Sequence, residues 1–168
     1  MQSPILFLFA LIALACSPPQ ETAPPQEKAS TAAEQAGGFD INRDERGLAL
    51  RGYDAVAYHT GGQSIEGKAE HSFSWHGAQW QFASAVNRDK FSQNPEKYAP
   101  SNGGYCTFGI VLRKKFDGDP NVWAVVQDRL YIFLNEDVKG KFFQDEEGNF
   151  QKVSANWPYV QGKDAEDL

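Results

Sequence analysis

The sequence predicts an α+β domain, a small antiparallel sheet of two β-hairpins packed with short helices. Residues 71–82 and 123–134 both read as hairpins, and around them the apolar period lengthens to that of amphipathic helices. The aromatic fraction is 13%, and Trp75, Trp80, Trp123 and Trp157 all lie beyond residue 70, so the material for a core sits in the C-terminal three-quarters of the 168 residues.

In the first hairpin, HSFSWHGAQWQF, Phe73 and Trp75 alternate with Ser72, Ser74 and His76, and Trp80 and Phe82 alternate with Gln79 and Gln81. That period of two belongs to half-buried strands, and Gly77 after His76 supplies the positive φ of a tight turn. The period then changes. Ser84 is placed to cap a helix from Ala85, with Val86 and Phe91 turned inward and Pro95 closing it. WAVVQDRLYIFL is apolar on both faces, which predicts a second hairpin at the sheet centre, turning around Gln127-Asp128. Asn135 caps the next helix, with Glu136 and Asp137 at its positive end and Val138 and Phe142 on one face. Phe150, Val153 and Trp157 recur at i, i+3 and i+7, a last amphipathic helix ended by Pro158. The folded domain is expected over residues 39–158, with a flexible acidic tail over 159–168.

The N-terminus has another role. Residues 5–15, ILFLFALIALA, are apolar and uncharged, but a membrane-spanning helix needs roughly 20 such residues, so residues 1–15 read as a signal peptide. Cys16 follows directly, and Ala13-Leu14-Ala15-Cys16 resembles the lipobox of bacterial lipoproteins, in which the cysteine is acylated. Residues 17–38 contain four of the nine prolines and no aromatic or branched aliphatic residue, a composition that cannot bury enough surface to fold. The expected arrangement is a lipidated Cys16 and a disordered Pro-rich linker over 16–38. The bilayer is then a partner through Cys16, and the location is the bacterial cell envelope, lipid-anchored on the periplasmic face of the outer membrane.

Sixteen Lys and Arg stand against 22 Asp and Glu, for a net charge of −6. No basic field draws the chain toward nucleic acid. Nucleophile elbow, P-loop, zincin helix and dinucleotide fingerprint are all absent from the sequence, so no catalytic residue is assigned.

Once Cys16 is acylated, Cys106 is the one thiol left, and it follows Gly103-Gly104-Tyr105, where backbone can turn sharply or approach a ligand. Two readings stand open: a small apolar residue buried between Tyr105 and Phe108, or a reactive thiol. With His71 it would form an open two-donor metal site suited to a transition metal such as copper. His71 lies on the face of Phe73 and Trp75, His76 points the other way, and His59 falls in an expected loop. Tyr53 and Asp54 form either the edge of a ligand pocket, with Tyr105, or a structural corner in which Asp54 satisfies loop amides. Arg113-Lys114-Lys115 reads as a solvated surface.

Several stretches carry a resemblance together: GYDAVAY at 52–58, WHGAQWQF at 75–82, NRDKF at 87–91, PEKYAP at 95–100, GGYC at 103–106, GDP at 118–120, Leu130-Tyr131, and ANWP at 155–158. In this order they resemble the YHS domain family in its exported bacterial form. The resemblance implies a small α+β domain of the kind found in metal-handling and envelope proteins, with a proposed metal-binding role, and it gives no histidine a ligand position. The first turn departs from the family's Asn-Gly as His76-Gly77. The expected function is a membrane-tethered envelope module that binds a metal ion or small ligand near Cys106. The alternatives are a scaffold lipoprotein with an envelope protein partner, or a thiol-based redox protein.

Overall fold

The computed structural model describes residues 39–168. The expected signal peptide, Cys16 and the expected Pro-rich linker lie outside the described residues.

The fold is α+β. Helix α1 (Ala55–Gly61) precedes the first hairpin, strands β1 (Lys68–Trp75) and β2 (Ala78–Phe82). Helices α2 (Ala85–Gln93), α3 (Pro95–Tyr98) and α4 (Thr107–Val111) lead to the second hairpin, β3 (Asp119–Val126) and β4 (Arg129–Phe133), and α5 (Glu136–Phe143) and α6 (Glu146–Val160) follow. The two hairpins form separate two-stranded antiparallel sheets. Each is widened by one isolated parallel bridge, Leu48 to Gln79 in the first and Cys106 to Ile132 in the second.

Both turns are two-residue loops with positive φ at both positions: His76 and Gly77 between the paired Trp75 and Ala78, and Gln127 and Asp128 between Val126 and Arg129. That is the backbone whose twist matches the flanking strands. The helix caps form as their sequences dictate. Ser84 accepts a hydrogen bond from Asn87 N, Asn135 from Val138 N and Asp145 from Gly148 N.

The core has two clusters. The first gathers Val56 and Tyr58 of α1, Trp80 and Phe82 of β2, Phe91 of α2, and Ile132. Phe91 is its hub, in ring contact with Phe73, Trp75, Trp80 and Phe82. The second packs Ile110, Val122, Phe133, Phe142, Val153 and Val160. Buried amides join the helices of this second cluster. Asn156 Nδ2 donates to the Ile110 and Val111 carbonyls at the end of α4, and Asn149 Nδ2 donates to the Phe142 carbonyl of α5.

Three expectations differ from the structure. Val86 is 63% exposed, and Phe91 is the one buried residue of α2. Pro158 does not end the last helix, which runs on to a fully buried Val160. A proline there removes the bond to the carbonyl of residue 154, and Ser154 lies on the exposed side, where water can take its place. Beyond Val160 the chain is tied down by Gly162 N donating to Asp40 Oδ2 and by Leu168 packing on the second cluster. His59, expected in a loop, is part of α1.

Candidate functional site

Asp54 is a completely buried carboxylate with four hydrogen-bond donors. As the N-cap of α1 its Oδ1 accepts from Val56 N at 2.9 Å and Ala57 N at 3.3 Å. Oδ2 accepts from Ala83 N at 2.9 Å and Asn87 Nδ2 at 2.7 Å. The carboxylate therefore locks α1 to the end of β2 and to α2, which is the corner reading and leaves it no free lone pair for a ligand. Tyr53 does not share this environment. Its hydroxyl lies near the surface, 3.4 Å from Glu66 Oε1, and accepts from Asn121 Nδ2 at 3.3 Å.

Cys106 is 1% exposed. Its amide donates to the Phe116 carbonyl, and its carbonyl accepts from Ile110 N at the start of the short α4. Tyr105 beside it turns its hydroxyl to Asp40 Oδ1 at 3.2 Å. The same carboxylate binds Lys115 Nζ at 2.5 Å, and Lys115 also donates to the Lys163 carbonyl. Burial, reinforced by Asp40, pushes the Tyr105 phenol above its ordinary range, so it stays a neutral donor. Tyr105 and Lys115 thus anchor the N-terminal segment, and Lys115, expected on a solvated face, is buried.

Sealing of the thiol has a direct consequence. With Cys16 replaced by Ser, Cys106 is the single thiol, and it is expected to resist iodoacetamide in the native protein and to react within minutes in denaturant. Rapid native labelling would restore the redox reading.

The donors among the described residues do not suit a resident metal: they include no group of three or more His, Cys, Asp or Glu able to hold one. His71 Nε2 stands 3.5 Å from Glu70 Oε1, and the Cys106 thiol is enclosed.

His59 is the unusual histidine. Its side chain is 3% exposed and neither ring nitrogen has a hydrogen-bond partner among the described residues. Nδ1 stands 3.6 Å from Asp128 Oδ1, and Asp128 also faces Lys97 at 3.7 Å. Burial holds the imidazole below its ordinary pKa, with Asp128 pulling the other way. The unfolded chain takes up this proton near pH 6.5, while the fold resists it until lower pH. The destabilising contribution is therefore absent above about pH 6.5, grows as the pH falls toward the depressed folded value, and is constant below that. Urea midpoints are expected to fall more steeply as the pH drops below about 6.5 in the native sequence than in His59→Gln. Parallel profiles would show that His59 does not carry the dependence.

The described surface has two sizeable recesses that sequence reasoning missed. An open groove of about 870 Å³ runs between the second hairpin and α6, lined by Tyr131, Phe150, Glu146 and Glu147 among others. A cleft of about 340 Å³ lies between Phe39, Trp75, Glu96, Asn102, Arg129 and Trp157. Phe39 and Trp75 rest against each other at 5.1 Å between ring centroids. Arg129 Nε donates to Ser101 Oγ at 3.1 Å, which orients the guanidinium. Asn102 Nδ2 is buried with no hydrogen-bond partner among the described residues. Asn102 itself is left-handed at φ 55°, inside the 3₁₀ turn Ser101–Gly104. The signal available in the sequence was the pair of tryptophans in WHG and ANWP, both of which remain partly exposed.

Two hairpins braced by short helices, with an aromatic cleft on the surface, define a small α+β domain. The family model described as YHS domain matches residues 56–102, from α1 through the turn that holds Asn102. No curated protein and no solved structure matches the chain.

Proposed function

We propose that this chain is an extracytoplasmic binding module of YHS type, held at the bacterial envelope through an acylated Cys16, that takes a small molecule into the cleft between Trp75 and Trp157. The observation that carries the binding reading is the cleft itself. It combines aromatic walls with an oriented guanidinium, and its volume lies at the small end of ligand pockets. The ligand site expected near Cys106 moves here because the thiol is enclosed, Tyr105 is committed to Asp40, and Asp54 is saturated.

Support for the tether is in the sequence: eleven apolar residues, a cysteine immediately after them, and a Pro-rich stretch before the first described residue. Two or more acyl chains at about 0.8 kcal/mol per buried methylene make such an attachment stable. Mass spectrometry of the mature N-terminus tests it. Cys16 as residue one with added acyl mass supports the tether, and an unmodified residue at another position overturns it. For the cleft, ligand-observed NMR with a fragment mixture on the full mature chain should find binders whose signals are lost with Trp157→Ala. Binders indifferent to that change, in a variant whose amide spectrum remains folded, overturn the site.

A further inference from the structure

The cleft carries both signs of charge around aromatic rings. Phe39, Trp75 and Trp157 supply π faces, and Trp157 makes no ring contact with another aromatic among the described residues, so its indole is not already occupied by stacking. Glu96 is exposed on one part of the lining and has no ion pair among the described residues. Arg129 is exposed on another part and, among the described residues, spends only Nε, at Ser101. The two opposite charges do not neutralise each other, because they form no salt bridge. Asp40, the other acid of the lining, is consumed by Lys115, Tyr105 and the Gly162 amide.

A neutral apolar ligand would leave Glu96 and the Arg129 fork without partners. A simple anion would use Arg129 but set its charge against Glu96, and a simple cation would do the reverse. A molecule bearing both charges satisfies both. Its carboxylate accepts from the guanidinium, while an alkylated ammonium lies against the rings and beside Glu96, where cation–π attraction and the carboxylate act together.

Resting on the binding reading above, we propose that the Trp75–Trp157 cleft recognises a small zwitterion of amino-acid size, with its carboxylate on Arg129 and its alkylated ammonium among Phe39, Trp75, Trp157 and Glu96.

Glycine betaine, choline and acetate separate the parts of this claim. They are titrated into the full mature chain while tryptophan fluorescence and amide chemical shifts are followed. Betaine is expected to bind tightest, with choline at least tenfold weaker and acetate weaker still. Arg129→Gln is expected to weaken betaine about tenfold and leave choline within twofold. Glu96→Gln should weaken betaine and choline alike and spare acetate. Both side chains are exposed, so neither variant endangers the fold, and the amide spectrum verifies this. Betaine binding that is indifferent to Arg129→Gln, or choline binding as tightly as betaine, overturns the zwitterion. If betaine does not bind but indole does, in a manner lost with Trp157→Ala, the zwitterion is overturned while the binding module stands. If no probe or fragment binds, both fall.

Discussion

Asp54→Ala is expected to destabilise the protein by about 3–5 kcal/mol, measured by urea unfolding, a large share of the roughly 5–15 kcal/mol that holds a domain of this kind together. The size follows from the count of donors. Removing the carboxylate deprives α1 of its N-cap, which alone costs about 1–2 kcal/mol, and also strands the partly buried Ala83 amide and Asn87 side chain, each at a further ~1–1.5 kcal/mol. Asp54→Asn separates the two halves of the effect. The new amide oxygen can still cap Val56 and Ala57, but its NH₂ then meets two donors, so an intermediate loss of about 2 kcal/mol is expected. Neither variant should selectively alter ligand binding in the cleft, because Asp54 does not line it. A loss below 1 kcal/mol for the alanine variant would mean that the four donors find other partners.

The same residue shows how far the sequence alone reaches. GYDAVAY contains an aspartate directly before a run that is apolar on one side, and an N-cap and a pocket edge look identical at that level; only Ala83 and Asn87, about thirty residues away, decide between them. Local signals were readable where the chemistry is local. The alternation around His76-Gly77 and the caps at Ser84 and Asn135 each depend on neighbours within a few residues. The first strand was readable only in its second half, because Lys68, Ala69 and Glu70 are exposed and carry no alternation. Pro158 misled because a rule about helix interiors gives way where the freed carbonyl faces water. Cys106 had no period around it to say which way it faced, and its backbone is fixed by pairing with Phe116 and Ile132, well downstream. The cleft was the least legible part. Its lining comes from five stretches far apart in the chain, at residues 39–41, 75, 96–103, 129 and 157–161, so no window of sequence contains the whole of it.

Gly103→Ala is expected to cost at least about 3 kcal/mol and to loosen the N-terminal segment together with the cleft it lines. Two penalties combine. Gly103 sits at φ 65°, where an L residue pays about 1–2 kcal/mol, and a methyl built on it would fall 2.9 Å from the Asp40 carbonyl carbon and far inside contact distance of that group's oxygen. Backbone cannot swing aside as a flexible side chain does, so residues 40–42 must move, breaking the bond from Asn42 N to the Gly103 carbonyl. Asp40 would move with them, and with it the carboxylate that gathers Lys115, Tyr105 and Gly162. Two glycines serve as controls. At Gly104 the added methyl would meet Pro100 at 3.2 Å, a contact that yields, so Gly104→Ala should cost only the backbone strain of about 1–2 kcal/mol. At Gly140, within α5 and facing open space, alanine should stabilise by about 0.5–1 kcal/mol through helix propensity. Hydrogen exchange at the Asn42 amide reads the mechanism separately from the total. Its protection should collapse in Gly103→Ala and persist in the other two, and a Gly103→Ala protein that keeps that protection would show that the Asp40 segment does not pack on this glycine.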